Sequence, residues 1–311
     1  MIVGSTRSGL VEAVHPVTAA AVDASGRVIE VLGDDADRPF FYRSSVKPFQ
    51  AAVSQRRGAD LGPEQLALAG ASHGGQPVHV AIVAGMLREA GLDESDLRCP
   101  PDQPAGTGAE ARLAARGQET KRAVHHNCSG KHAAMLRASA AQGWSLAYTD
   151  ADHPLQREIV EYVGDLVGSP VTPPGTDGCG VPTMRGDVVG LARAFARLTV
   201  DRELRPVAEN SARYASLVSD GDRSGAVLSR WFPASVKGGA MGCVGAAWLD
   251  GDIGFAAKCW TGDGAAAMIG LIHLIDRLGL LPGHPAAQLA DIARPVVLGG
   301  GEPVGALEIL P

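Results

Sequence analysis

The chain has 311 residues, 45% of them hydrophobic, enough for one large domain or two modest ones with a sizeable buried core. Its 28 basic and 34 acidic residues leave a net charge of -6, and no basic block could neutralise a run of phosphates, which argues against a nucleic-acid partner. No stretch approaches the roughly 18 apolar residues of a spanning helix, and the opening "MIVGSTRSGLVEAVHP" lacks the apolar region of a secretory signal. Five scattered cysteines suit reduced thiols better than a disulfide framework, so the expectation is a cytoplasmic protein without membrane contact.

From Val17 to Gly33, "VTAAAVDASGRVIEVLG" predicts two strands joined at Asp23-Ala24-Ser25-Gly26. In "FYRSSVKPFQ" an apolar stretch gives way to a helix, and helical patterns then mark 63–69, 78–90, 131–142, 154–167, 187–198 and 204–218. The Pro- and Gly-rich stretches 99–116 and 169–183 are expected to be mostly loop. Further on, "CVGAAWLDGDIGFAAKCW" places Asp250-Gly251-Asp252 between two alternating segments, a second hairpin, and 265–280 follows as a helix. Strands at both chain ends with helices between them predict an α/β fold of the α+β type. One antiparallel sheet is formed from both ends and covered by helices, in a single domain over 1–311 with a helical subdomain around 50–220.

Ser44 and Lys47 are three residues apart, nearly one helical turn, so the amine can reach the hydroxyl. A serine is a weak nucleophile without a base, and lysine is a base only when neutral. Lowering its pKa from about 10.4 to about 7 takes roughly 4–5 kcal/mol, which burial or nearby positive charge must supply. The same spacing fits a plain helix start, with Ser44 or Ser45 as cap and Pro48 in the first turn.

In "LALAGASHGGQP", Ser72 and His73 precede two glycines, which suits either a loop that lets backbone approach a ligand or a helix end closed by glycine. In "SVKGGAMGCVGAAW", Lys237 before Gly-Gly resembles the Lys-Thr-Gly strand of serine β-lactamases, or is an ordinary glycine turn with a solvated lysine. "HHNCSGKHAAML" sets Cys128, Lys131 and His132 together, and "PGTDGCGVPTM" carries Asp177 and Cys179. The two cysteines can supply soft ligands to zinc or fill small spaces in the core. Lys131 would be an uncommon nitrogen ligand and His132 a commoner one.

Taken in order, "RSSVKP", "ASHGG", "NCSGKH", "TDGCGVPT" and "KGGAMG" resemble the rhizobial-type, or class 3, L-asparaginases, whose fold is similar to that of serine β-lactamases, transpeptidases and glutaminases. The resemblance runs from the first hairpin to about residue 260. It implies hydrolysis of L-asparagine to aspartate and ammonia by two serine-lysine pairs, Ser44 with Lys47 and Ser72 with Lys237. It further implies zinc held by Cys128, Lys131 and Cys179, polar residues Arg43, His73, His132 and Asp177 on the substrate side, and a homodimer. Two thiolates and an amine leave such a zinc a weak Lewis acid, so it is expected to order the site and tune the lysines, with Lys131 a neutral ligand.

Two departures bear on the substrate: Met241 follows Gly239-Ala240, and Gln76 follows the "SH" pair, where the family commonly carries acids. Two alternatives remain open. One is hydrolysis of glutamine or another small, peptide-like amide; the other is a non-catalytic, zinc-containing binding protein of the same fold. Lys258, Cys243 and Cys259 lie on or beside the second hairpin and face either site or core, the core being expected for both cysteines.

Overall fold

The computed structural model describes residues 1–105, 109–117, 119–172, 174–219, 223–281 and 287–311. The chain opens with strands β1 (Ile2–Arg7), β2 (Leu10–Asp23), β3 (Val28–Leu32) and β4 (Phe40–Phe41). Helices α1 (Lys47–Ser54), α2 (Pro63–Ala69), α3 (Pro77–Glu89), α4 (Ala109–Ala115), α5 (Ser129–Ala141) and α6 (Pro154–Val167) follow. The short strands β5 (Gly175–Thr176), β6 (Pro182–Thr183) and β7 (Arg185–Gly186) lead to α7 (Val188–Val200), α8 (Arg205–Arg213), α9 (Ala215–Ser219) and α10 (Ser224–Trp231). The remainder is β8 (Ala234–Gly239), β9 (Cys243–Trp248), β10 (Ile253–Cys259), α11 (Gly264–Arg277), α12 (Ala287–Ala293), β11 (Val296–Gly299) and β12 (Glu302–Ile309).

An eight-stranded antiparallel sheet runs in the order β11-β12-β1-β2-β10-β9-β8, with β3 also paired to β2. This is the expected sheet from both chain ends, covered by helices. Alternate residues of β2 separate two cores, as the twofold period of a strand requires. Ala20 and Val22 face the core shared with Phe49 of α1, Met135 of α5 and Phe195 of α7. Val17, Ala19 and Ala21 face the core of Leu228 on α10 and Ile269, Leu271 and Ile275 on α11. Phe49 and Phe195 meet edge to face at 5.5 Å, and burying each ring stabilises the fold by about 1.5–3 kcal/mol.

The structure departs from expectation at several elements. The first hairpin is longer than Val17–Gly33, because β2 begins at Leu10 and its first half pairs with β1. The expected helix over 204–218 breaks at Tyr214, and the expected loop over 99–116 contains α4. Residues 106–108 and 173 of the two expected loops lie outside the described residues. Helix starts follow local chemistry: the Asp187 carboxylate accepts from Gly190 N at 2.7 Å, and Asp263 does the same for Ala266 N at 2.7 Å. Among the described residues, no helix is long and apolar enough to cross a membrane. At the β8 end of the sheet, the strand packs against the turn that precedes α1 and against α8, α9 and α10, and this junction forms the site.

Candidate active site

Ser44 sits in a single 3-10 turn, Arg43–Val46, directly before α1. Arg43 adopts φ 52°, a left-handed conformation that costs a non-glycine residue on the order of 1 kcal/mol or more. Three contacts hold it: Arg43 Nε donates to Asp177 Oδ1 at 2.7 Å, Ser45 Oγ to Tyr42 O at 2.6 Å, and Cys243 Sγ to Tyr42 O at 3.2 Å. Strand β8 lies close against this turn. A Cβ at Gly239 would stand 2.8 Å from Tyr42 O and 3.1 Å from Ser45 N. Ser44 Oγ makes no hydrogen bond among the described residues. It opens on a cavity of about 450 Å³ whose wall includes Ser72, Asn127, Lys237, Gly238 and Ala240.

The two lysines converge on Ser72. Its Oγ accepts from Lys47 Nζ at 2.9 Å and lies 2.9 Å from Lys237 Nζ. Lys47 Nζ also donates to Ala71 O at 2.7 Å and to Asn127 O at 3.5 Å, so all three of its hydrogens are used. The expected pairing of Lys47 with Ser44 is therefore replaced by one with Ser72. Helix α1 begins only at Lys47, after a tighter turn, and an amine only 1% exposed turns to the acceptors that satisfy it.

Lys237, on β8 and 3% exposed, also contacts Gly238 O at 2.6 Å. Burial and the neighbouring Lys47 charge push its amine well below the ordinary lysine range. When unprotonated, Lys237 accepts a hydrogen bond from Ser72 Oγ while Lys47 donates to the same oxygen. The row amine–hydroxyl–amine is thus able to pass a proton beside Ser44.

Cys128 caps the start of α5 and Lys131 lies three residues on, so both side chains reach one side. Lys131 Nζ donates to Cys179 Sγ at 3.1 Å, and Cys128 Sγ lies 2.9 Å from Asn127 Oδ1. The neighbouring Cys179 thiol, with the Lys47 and Lys131 charges, holds Cys128 well below the ordinary thiol value despite burial, and Cys179 is pushed up. Burial opposes charge on Lys131, but the two sulfurs more than offset it and the amine is pushed up. Two soft sulfurs and one nitrogen form a donor set that fits zinc. Among the described residues, no three His, Cys, Asp or Glu side chains form a metal site; the nitrogen beside the two sulfurs is Lys131 Nζ, which would have to shed its proton to serve as a third donor.

None of the four residues expected on the substrate side lines the cavity. Arg43 and Asp177 pair with each other and brace the Ser44 turn. His73 is 1% exposed: its Nδ1 accepts from Gly75 N at 3.1 Å, and its Nε2 is 3.1 Å from Ser129 Oγ, tying the Ser72 loop to the start of α5. Burial first, then His79 and Lys47, push it well below the ordinary range. His132 is fully buried, with Nδ1 2.8 Å from Tyr148 Oη and no hydrogen-bond partner for Nε2 among the described residues.

Several residues join the site without a sequence motif to mark them. The Asn127 carbonyl accepts from both Lys47 and His73 N, and only its place beside Cys128 would have pointed to it. Ser219, Arg223 and Ser224 add to the cavity wall from the α9–α10 junction. Cys243 is buried but lies in the cavity wall under the Ser44 turn, whereas Cys259 packs in the α11 core. Lys258 Nζ donates to the carbonyls of Met241 and Cys259 and lies 5.7 Å and 5.6 Å from the ring centres of Phe40 and Trp260.

A family model described as L-asparaginase II matches residues 3–309. Curated proteins give no match. Among solved structures, the chain is similar to native Mglu determined in 4.3 M NaCl, with 16% identity and a TM-score of 0.49 over 87% of this chain and 62% of that one. It thus spans about three fifths of the Mglu chain. It is also similar to a β-lactamase from Mycobacterium bovis (16% identity, TM-score 0.42, 85% of this chain and 93% of that chain). A third is described as a putative β-lactamase from Bacteroides dorei (14% identity, TM-score 0.41, 79% and 85%). Likenesses of this size say nothing about what this chain acts on. The family match does not depend on them: the chain belongs to the L-asparaginase II family, a family of amide hydrolases.

Proposed function

We propose that the chain hydrolyses L-asparagine to aspartate and ammonia, with Ser44 as the nucleophile and Lys47, Ser72 and Lys237 as its proton relay. The observation that carries this reading is Ser72 Oγ, 2.9 Å from each amine, on the wall of a cavity onto which Ser44 opens. Ser44 suits attack because its hydroxyl faces the cavity from a strained turn, while Ser72 is engaged on both sides.

In this scheme the Ser44 proton enters the relay at Ser72 and comes to rest on Lys237 as Ser44 Oγ bonds to the side-chain amide carbon. The relay returns that proton to the amide nitrogen, the C–N bond breaks, and ammonia leaves. Water then gives a proton to the same relay as it attacks the aspartyl ester, and the relay returns that proton to Ser44 Oγ as the C–O bond breaks and aspartate leaves. Backbone N–H groups of the Ser44 turn and of the Gly239–Ala240 end of β8 are the donors available to the oxyanion.

Zinc belongs to the proposal, held by Cys128, Cys179 and Lys131. When bound, it would hold both sulfurs as thiolates and Lys131 as a neutral amine, ordering the start of α5 beside the relay. The test is ammonia release from L-asparagine and L-glutamine. Wild type is expected to turn over asparagine and Ser44→Ala to be inactive, and full activity in that variant would remove Ser44 as the nucleophile.

A further inference from the structure

Behind the Ser72 loop lies a second cavity of about 410 Å³, within the size range of small-molecule sites. One wall is apolar, from Val80, Ala81 and Ala84 of α3 and Leu113 of α4. Arg112 of α4, Arg116 just after it, and Arg122 supply positive charge. Arg122 is paired with Glu94, and no carboxylate lines the cavity among the described residues. Guanidinium groups beside an apolar wall match an anion carried on an apolar body, and their planar fork suits a carboxylate in particular.

Two short segments, Ser72–Gln76 and His125–Asn127, join the cavity to the catalytic one. Ser72 lines the first cavity, and Gly75 and Gln76 line the second. Gly75 N–H donates to His73 Nδ1, Gly74 O accepts from Ala105 N at 2.8 Å, and Gly75 packs so tightly that a Cβ would stand 2.6 Å from His125 O. A ligand pressing on Gln76 or on the Pro104 side therefore acts on the backbone that places Ser72 between its lysines.

We propose that this cavity is a second site, for a small monocarboxylate with an aliphatic or aryl body, and that its occupancy alters turnover through the Ser72–Gln76 segment. The binding half stands on the cavity alone; the coupling half rests on the proposed asparagine hydrolysis. The test is calorimetric titration of the full chain with hexanoate, with hexylammonium chloride as the charge-reversed control.

Saturable 1:1 binding of hexanoate and none of hexylammonium is expected. Arg112→Ala with Arg116→Ala should weaken hexanoate at least about tenfold. Ala84→Trp, at an exposed position of α3, should block it by filling the cavity without disturbing the core. Absence of saturation in wild type, equal binding by hexylammonium, or unchanged binding in both variants would overturn the site. So would binding that L-aspartate displaces while the arginine changes leave it intact, because that places hexanoate in the catalytic cavity. In wild type, saturating hexanoate should change kcat for asparagine, an effect lost in the variants; identical kinetics with and without it would overturn the coupling. An enzyme inactive on asparagine would count against the proposed function, and the titration would still decide the site.

Discussion

Adjacent glycines on β8 should respond in opposite ways to the same added methyl. A Cβ at Gly239 would stand 2.5 Å from Cys243 Sγ, 2.8 Å from Tyr42 O and 3.1 Å from Ser45 N, whereas one at Gly238 meets nothing within 4 Å. Neither glycine has a positive φ, so alanine adds no backbone strain and the comparison isolates sterics. At Gly239 two of the three neighbours are backbone of the Ser44 turn, and the third is a buried thiol bonded to that turn. The strand must therefore back away from Ser44. Overpacking of this kind costs about 1–3 kcal/mol, which at roughly 2–4 °C per kcal/mol lowers the melting temperature by several degrees. A shift approaching 1 Å between nucleophile and strand costs on the order of 100-fold in rate. Thermal unfolding and ammonia release should show both losses in Gly239→Ala, with melting unchanged in Gly238→Ala. A Gly239→Ala protein that melts and turns over like wild type would refute the close approach of β8 to the nucleophile.

Lys237→Met should reduce turnover by roughly 100- to 10,000-fold yet raise the melting temperature at neutral pH. The folded pKa of Lys237 lies well below its ordinary 10.5, so between those two values the unfolded chain holds a proton that the native one has shed. Stability should therefore climb with pH across that window and be lowest below the folded pKa, a slope that the variant loses. Equal slopes in wild type and variant would contradict the buried, unprotonated amine. Lys258 holds the carbonyl of Met241, which has φ 62° in the β8–β9 turn next to Ala240. Lys258→Met should lower kcat with little change in KM, and Lys258→Arg should restore part of it; steady-state kinetics that shift only KM would count against this placement. Metal analysis should find one zinc per chain in wild type and a clear loss in Cys179→Ser, and equal zinc in both would remove Cys179 from the ligand set.

Both hairpins were legible because turn residues such as Asp23-Ala24-Ser25-Gly26 and Asp250-Gly251-Asp252 interrupt apolar runs, which β2, β9 and β10 bury on both faces. The first half of β2 and the edge strand β11 were not. Leu10, Val14 and Val296 are 70%, 55% and 51% exposed, so no burial pattern marks them. The break at Tyr214 has neither glycine nor proline to announce it.

In the site, motif order pointed to the residues that meet around Ser72, Lys237 among them, but local spacing placed Lys47 on Ser44 instead. Lys47 reaches a hydroxyl 25 residues away because its buried amine follows the acceptors that the α2–α3 loop presents. His73 and His132 look the same in sequence whether they face substrate or core. Only tertiary packing puts both behind the cavity, His73 bridging to Ser129 and His132 to Tyr148.

The central claim is attack by Ser44 with the proton passed through Ser72 and its two lysines. Its most direct test is acid-quenched turnover of L-asparagine followed by peptide mapping in wild type and Lys237→Met. The account predicts an aspartyl ester on the peptide carrying Ser44, formed in wild type and strongly reduced in the variant. An ester on Ser72, or one that forms on Ser44 equally fast without the Lys237 amine, would contradict it.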